Sequence, residues 1–130
     1  MSEATERWLI FAREDLQVAE AVLDRGIYNQ VCFHSQQCVE KALKSALVHR
    51  GRRPPRIHSI TDLLSLFPPD WLADLRGDLV GLDDFYIPTR YPDALPGILP
   101  DGLPGMVEAQ EALVLARAVL ERVEAELQGP

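Results

Sequence analysis

The sequence contains no apolar run that approaches the roughly 20 residues of a membrane-spanning helix. Its first residues, MSEATERW, carry acids where a secretory signal has positive charge followed by an apolar stretch. Charged residues make up 25% of the chain and hydrophobic residues 47%, which is typical of a soluble globular protein. With 130 residues, the chain is long enough to bury its own core. We therefore predict a single cytoplasmic domain over residues 1–130, without membrane contact.

Cysteine is scarce, because Cys32 and Cys38 are the only two. They lie six residues apart in a predicted helix, about 9 Å apart along its axis and on different faces, so they cannot pair with each other as a disulfide. His34 and Cys38 are four residues apart and could share a metal, but two ligands fall short of the four in a structural zinc site. We interpret both cysteines as small core residues and predict neither a metal site nor a cofactor.

No segment alternates apolar and polar residues for long enough to predict a strand, and the sequence has neither a solenoid repeat nor a glycine-rich phosphate loop. Apolar residues instead recur in steps of three and four, which predicts helices. Gly26 and Gly51 are predicted to end the first two helices, and Ser59 to cap a short third one. The predicted helices cover residues 5–24, 28–50, 58–67, 70 to about 86, and 104 onward.

This pattern predicts an all-α fold, namely an antiparallel, up-and-down four-helix bundle with a short extra helix between the second and third long ones. A long proline-rich loop, residues 88–104, precedes the last helix. Its prolines at 92, 96 and 100 exclude a regular helix. Two interpretations of this loop remain open: a stiff crossover that packs Ile98 and Leu99 on the bundle, or a lid that carries Arg90 and Tyr91.

Positive charge is concentrated in one segment of an acidic chain. The chain totals −7, yet residues 41–56 hold six of its 13 Lys and Arg and not one Asp or Glu. Such a patch attracts nucleic acid poorly in general, but it can form a local phosphate site, for which arginine side chains are well suited. The alternative is that GRRPPR, residues 51–56, is only a solvated connector.

A polar stripe lies within FHSQQCVEKALK, residues 33–44, where positions three and four apart share one helix face. Because charged residues usually lie outside, one interpretation is a solvated outer face. The other is an anion-binding surface, on which an amide and a carboxylate orient two lysines, arginines bind phosphate and a tyrosine stacks on a base. The predicted ligand-binding residues are Gln37, Glu40, Lys41, Lys44, Arg52, Arg53, Arg90 and Tyr91.

The order of four motifs resembles the HEPN domains, small helical proteins of bacteria and archaea that are also fused into larger eukaryotic chains. The motifs are DL-x-x-A in the first helix, FHSQQCVEKALKSAL in the second, then HSITDLL and YIPTRYPD, and together they span roughly residues 5–115. The resemblance implies a helical bundle, commonly dimeric. It also implies frequent partnership with a separately encoded small nucleotidyltransferase, a pairing widely interpreted as a toxin–antitoxin system. Some members of the family are ribonucleases, and others are thought to bind nucleotides.

The ribonuclease members carry an Arg followed about a turn later by a His, typically at the start of the last long helix. This sequence departs from that motif, because no histidine follows Arg90; its three histidines are His34, His49 and His58. An Arg–x4–His string does occur from Arg53 to His58, in the loop after the second helix. There His58 would act as general base toward a ribose 2′-hydroxyl and Arg53 would stabilise charge on phosphorus, which makes them the alternative catalytic pair.

Three classes of function are compatible with these observations. We predict a binding module that holds a nucleotide or RNA phosphates, forms a homodimer or larger oligomer, and partners a small nucleotidyltransferase. The alternatives are a metal-independent endoribonuclease toxin and an oligomeric interaction protein without a ligand. The polar stripe and TRYPD favour binding over pure interaction, because a bundle needs only apolar stripes. The absent late histidine disfavours the enzyme.

Overall fold

The computed structural model describes residues 1–86 and 103–129, and within them every regular element is helical. This confirms the predicted all-α fold class. No helix in these two ranges is both long and apolar enough to cross a membrane. In the described part of the chain, five α-helices and one 3₁₀ helix follow one another: α1 (Glu3–Leu23), α2 (Tyr28–His49), α3 (Ile60–Leu64), α4 (Ala73–Leu79), the 3₁₀ segment (Val80–Phe85) and α5 (Met106–Gln128).

Local signals set the helix ends much as predicted. Gly26 and Gly51 follow α1 and α2 with φ of +73° and +79°, a left-handed conformation that glycine adopts without steric cost. The Ser59 hydroxyl accepts a hydrogen bond from the Asp62 N–H at 3.1 Å and so caps α3. At the start of the chain, the Ser2 hydroxyl accepts from the Thr5 N–H at 3.1 Å, which starts α1 two residues earlier than predicted.

The element predicted as one helix over residues 70–86 is wrong in two respects. It begins only at Ala73, after Leu72 at a φ of +55°, and its second half winds as a 3₁₀ helix. The Arg76 guanidinium donates to the carbonyls of Pro68 (2.6 Å) and Trp71 (2.8 Å), which holds the preceding turn outside the helix. A left-handed Leu costs about 1–2 kcal/mol, and the burial of its side chain offsets this cost.

Ion pairs between helices establish the direction of α1 and α5. Arg13 pairs with Glu124 at 2.6 Å, and Glu20, two turns further along α1, pairs with Arg117 at 2.7 Å. Increasing numbers in α1 therefore meet decreasing numbers in α5, so the two helices are antiparallel. The connection between α1 and α2 covers only residues 24–27, which makes that pair antiparallel as well.

The third member of the bundle is α4 together with the 3₁₀ segment. Asp74, at the start of α4, pairs with Arg122 near the end of α5 at 2.5 Å. Phe85, at the end of the 3₁₀ segment, lines a cleft together with Glu108 near the start of α5. The two elements therefore run in opposite directions, which completes the up-down-up-down topology of the prediction.

Helix α2 occupies the centre of the molecule. It packs against α1, α3, the 3₁₀ segment and α5, and 13 of its 22 residues are buried. Burial of Leu43 and Leu47, both fully inaccessible, contributes about 1.5–3 kcal/mol each. Because neighbours surround α2, polar side chains on several of its faces are also inside the protein, where hydrogen bonds between them are favoured.

Candidate functional site

The polar stripe on α2 lies largely inside the molecule. Glu40 and Lys44 are 3% and 4% exposed, while Gln37 and Lys41 are half-buried. The Glu40 carboxylate accepts from the Lys44 ammonium at 3.0 Å and from the Gln37 side-chain amide at 3.3 Å. Helical spacing therefore predicted correctly that the stripe residues are neighbours, but the solvated outer face is wrong for Glu40 and Lys44, because α2 is central.

The buried carboxylate also contacts a histidine from the loop after α2. His58 Nδ1 lies 3.3 Å from both carboxylate oxygens of Glu40. The Gln36 side chain donates to the His58 carbonyl at 3.0 Å and thereby fixes the backbone at that residue. Lys44 Nζ lies 5.4 Å from the centre of the Trp8 ring, a cation–π contact that joins α1 to the same group. We call Glu40, Lys44 and His58 the inner triad.

A second carboxylate–lysine–histidine group joins α1 to α2. Asp15, 7% exposed, accepts from Lys41 Nζ at 2.5 Å and from His34 Nδ1 at 2.8 Å. The two contacts use different carboxylate oxygens, so the lysine and the histidine are held at the same time. Because Nδ1 donates to Asp15, the neutral His34 imidazole keeps Nε2 as its acceptor. We call these three residues the outer triad.

Four rings form a row beside the triads. The His58 ring stacks on Tyr86, with centroids 4.9 Å apart and an angle of 15° between the planes. Tyr86 lies 6.2 Å from Phe33, which in turn meets the His34 ring edge-on at 5.3 Å. The His58 side chain is 55% exposed, so this end of the ring row reaches solvent. A π-face in this position can stack on a nucleobase of any sequence.

Carboxylates compensate half of the basic segment 41–56. Lys41 and Lys44 are paired within the two triads, and Arg50 binds Glu126 at 2.6 Å while its guanidinium lies over the rings of Phe67 and Trp71. The carboxylates come from other parts of the chain or from just before the segment. The absence of acids within residues 41–56 therefore did not predict that half of its positive charge is compensated. The uncompensated positive charge is therefore carried by the loop after α2.

Three arginines in that loop carry the remaining charge. Arg52 donates to the Leu66 carbonyl at 2.8 Å. Arg53 and Arg56 are exposed, and neither forms an ion pair with any residue in the two described ranges. No hydrogen bond joins Arg53 to His58 within the same ranges, so the alternative catalytic pair is not preassembled there. Arg90 and Tyr91 lie outside the described residues, as does most of the predicted loop.

Two partners of the site are not among the residues predicted from the sequence. Asp15 belongs to the DL-x-x-A motif, and a carboxylate in the stripe between Ala12 and Ala19 of α1 signals a buried polar contact. Tyr86 stands at the end of a predicted helix, and no local pattern predicts its stack on His58. Both thiols, at Cys32 and Cys38, are buried as predicted. Within residues 1–86 and 103–129, no group of three or more His, Cys, Asp or Glu side chains is suited to hold a metal.

The HEPN proteins of known structure are helical bundles, as this chain is. The family model for the HEPN domain matches residues 5–126, and the chain belongs to this family. The resemblance predicted from the four motifs is thereby confirmed.

Individual relatives agree with this assignment. "Putative toxin MJ1304" of Methanocaldococcus jannaschii is 32% identical over 121 residues, which cover 85% of this chain and 79% of the relative. The crystal structure of TT1696 from Thermus thermophilus has 40% identity and a TM-score of 0.83, covering 96% of this chain and 99% of that one. An archaeal HEPN homologue, ST0689, has 34% identity and a TM-score of 0.77, covering 98% and 100% of the two chains.

Proposed function

We propose that the protein is a HEPN-domain binding module that holds a nucleotide or RNA phosphates as one half of a toxin–antitoxin-like pair in the cytoplasm. The observation that carries the proposal is the exposed end of the ring row, His58 stacked on Tyr86, next to a loop whose Arg53 and Arg56 have no carboxylate partner in the described part of the chain. The relative from M. jannaschii supports the toxin-like role by its name.

The ring stack suits the base of a nucleotide, and the arginines of the loop suit its phosphates. The exposed ring of His58 stacks on a base, and stacking of this kind contributes about 1–3 kcal/mol per base. Arg56 is two residues from His58, so their Cα atoms are at most about 7 Å apart. Its guanidinium and that of Arg53 bind phosphate oxygens in pairs of hydrogen bonds.

The buried stripe on α2 positions the His58 ring of this site. Glu40 holds His58, and Lys44 and Gln37 hold Glu40, so these three act through the ring that contacts the base. Arg52 adds positive charge at the margin, and Lys41, whose side chain is 26% exposed and whose charge is balanced by Asp15, is a further ligand-binding residue in the proposal. The contribution of Arg90 and Tyr91 to the same ligand stays a prediction.

Binding of a short labelled single-stranded RNA, and of ATP, at low salt tests the proposal. Substitution of one phosphate contact, Arg53→Ala or Arg56→Ala, should weaken binding by about tenfold to a hundredfold, because a charged contact contributes about 1.5–3 kcal/mol. His58→Ala should weaken it by a similar factor through lost stacking. Arg25→Ala is the matched control, since Arg25 is an exposed arginine at the α1–α2 connection, outside the loop of Arg53 and Arg56. Absence of binding by the wild type, or an equal loss in the control, would reject the proposal.

One observation favours the endoribonuclease as a second candidate. Glu40 orients His58 through Nδ1, which leaves Nε2 directed away from the carboxylate, as in a general base. In this reading Nε2 removes the proton of a ribose 2′-hydroxyl and Arg53 stabilises the charged phosphorus centre. Metal-independent cleavage of RNA that His58→Ala abolishes, while Arg25→Ala does not, would establish this candidate over the binding module.

The proposed partners are a second copy of the chain and a small nucleotidyltransferase. The long helices and the closed symmetry common among small proteins support a homodimer, and the toxin-like relative supports a paired antitoxin. Light scattering that gives the mass of a single 14.6 kDa chain at all micromolar concentrations would reject the dimer. A nucleotidyltransferase encoded next to this chain, and its co-purification with the tagged protein, would support the pairing.

A further inference from the structure

A cleft opens between the 3₁₀ segment and the first half of α5. Its volume is about 620 Å³, within the range of sites that bind small molecules or single protein side chains. Apolar side chains contributed by both elements line it: Leu82, Phe85, Ala112, Val114 and Leu115. None of these residues belongs to the triads or the ring row, so the cleft is a separate feature of the fold.

Exposed apolar residues continue the cleft across the surface. Val107 shares a helix face with Gln110, Glu111 and Val114, three residues that line the cleft. Val114 is 61% exposed and Val107 59%, unusually high for valine in a helix. Within residues 1–86 and 103–129, half of the ten exposed large hydrophobic residues lie in or next to the two elements that form the cleft: Val80, Leu103, Met106, Val107 and Val114. A concentration of exposed apolar side chains around a cleft is typical of an interaction site.

The charged residues that the two described ranges contribute to the cleft all have the same sign. Asp78, Glu108 and Glu111 line it, and no Lys or Arg does so within the described ranges. Glu108 accepts a hydrogen bond from the Gly105 N–H at 3.0 Å, whereas Asp78 and Glu111 form no ion pair with a described residue. In a two-fold contact between identical copies, these carboxylates would face one another and repel. The charge therefore disfavours a second copy and favours a cationic partner.

We propose that this cleft docks a segment of a partner protein that presents apolar side chains flanked by Lys or Arg. An aliphatic or aromatic anchor enters between Phe85 and Leu115, and the flanking cations meet Asp78 and Glu111 at the rim. An amphipathic helix laid into a groove between two helical elements is a common form of such recognition. The proposal does not depend on nucleotide binding, because the cleft shares no residue with the ring row.

Two synthetic helical peptides provide the test. They carry the same leucine face and differ only in having Lys or Glu on its flanks. When each is titrated into the ¹⁵N-labelled full chain, the Lys peptide should shift the amide signals of residues that line the cleft, and the Glu peptide should not. Glu111→Lys should weaken binding of the Lys peptide at least about tenfold, because one charged contact is lost and a repelling charge takes its place, and it should allow the Glu peptide to bind.

Two glycines offer a matched pair of blocking and control variants. Gly81 lines the cleft and Gly77, one turn earlier in α4, does not, yet an added Cβ would meet nothing within 4 Å at either position. Gly81→Leu should therefore fill the cleft and abolish binding of the Lys peptide, while Gly77→Leu should leave it unchanged. If Gly81→Leu fails to fold, the charge exchange at Glu111 still decides the question.

Three results would overturn the proposal. The first is equal binding of both peptides, which would indicate apolar adhesion only. The second is an equal effect of Gly77→Leu and Gly81→Leu. The third is a change of the cleft signals with protein concentration in the absence of peptide, which would mean that a second copy occupies the surface.

Discussion

Glu40 and Lys44 form an ion pair inside the bundle, with 3.0 Å between Oε2 and Nζ and only 4% and 5% of the two side chains exposed. They are one helical turn apart on α2, so the pair needs no tertiary contact to form. Its burial does need one, because α1 and the loop with His58 cover it. In this pair, the helix itself supplies the proximity of the two charges, and the neighbouring elements supply their burial.

Removal of one member of the buried pair should be far more costly than removal of an exposed one. Glu40→Gln or Lys44→Met leaves an uncompensated charge inside, and we expect a loss of about 3–5 kcal/mol in the free energy of unfolding. The double variant should recover much of this loss, because no unpaired charge remains. Urea denaturation measures all three. Glu20→Gln, which breaks a half-exposed pair with Arg117, is the control and should cost at most about 1 kcal/mol.

Asp83 should be important for the stability of α3. Its carboxylate accepts from the backbone N–H groups of Ile60 (2.6 Å) and Thr61 (3.1 Å) and from the hydroxyl of Thr61 (2.8 Å). Asp83→Ala should lower the free energy of unfolding by about 2 kcal/mol, since hydrogen bonds to a charged group are among the stronger ones. Asp83→Asn should lower the free energy of unfolding by a smaller amount. Asp84→Ala, a substitution of the exposed neighbour, should change it little. Equal losses at the two aspartates would contradict this role.

The contacts of Asp83 and Asp15 show where sequence-based prediction stops. Helix ends at Gly26, Gly51 and Ser59 could be predicted, because each depends on a few adjacent residues. The partners of Asp83 lie more than 20 residues before it, and His34 lies 19 residues after Asp15. For neither carboxylate do the adjacent residues in the sequence identify its partner. Only the packing of the helices brings these groups together.

The same reasoning applies to the charge of the basic segment. The sequence gives the number of Lys and Arg residues in the segment 41–56. The electrostatic potential around them also depends on carboxylates from distant positions such as Glu126, which the sequence does not place. The helical period was sufficient to place Gln37, Glu40 and Lys44 side by side. It could not show that α2 is the central helix, because burial of a polar face depends on how many neighbours pack around it.

Both thiols should be unreactive in the native protein. Burial raises the pKa of Cys32 to about 12, with the nearby charge of Glu108 adding to the effect, and burial likewise raises the pKa of Cys38 to about 12. Near neutral pH neither residue forms the nucleophilic thiolate. Ellman's reagent should therefore detect almost no thiol in the folded chain and two in urea. Cys38→Ala should reduce the count in urea to one, and rapid native reaction would contradict the buried positions.

The exposed pair of Asp74 and Arg122 predicts a small pH effect with a defined sign. Hydrogen bonding from the Arg122 guanidinium lowers the pKa of Asp74 below its ordinary value of 3.8. Because the folded-state pKa is the lower one, the contribution to stability is present above the ordinary value and is lost as the pH falls through the folded-state pKa. In Arg122→Gln, an NMR titration of the Asp74 carboxyl should give a higher pKa than in the wild type. An unchanged value would show that the pair does not persist in solution.

The position of α2 between α1 and α5 also implies an order of assembly. The contacts of Asp15 with α2 close loops of only 19 and 26 residues, whereas Arg13 and Arg117 reach their partners across 111 and 97 residues. Short loops cost less chain entropy, so the α1–α2 hairpin should form first and present a surface on which α5 later docks. Substitutions within the hairpin should then slow folding, while those at the α5 contacts should mainly speed unfolding. Helix α2 thus takes part in both steps: it pairs with α1 at the start of folding, and its remaining exposed face is covered by α5 at the end.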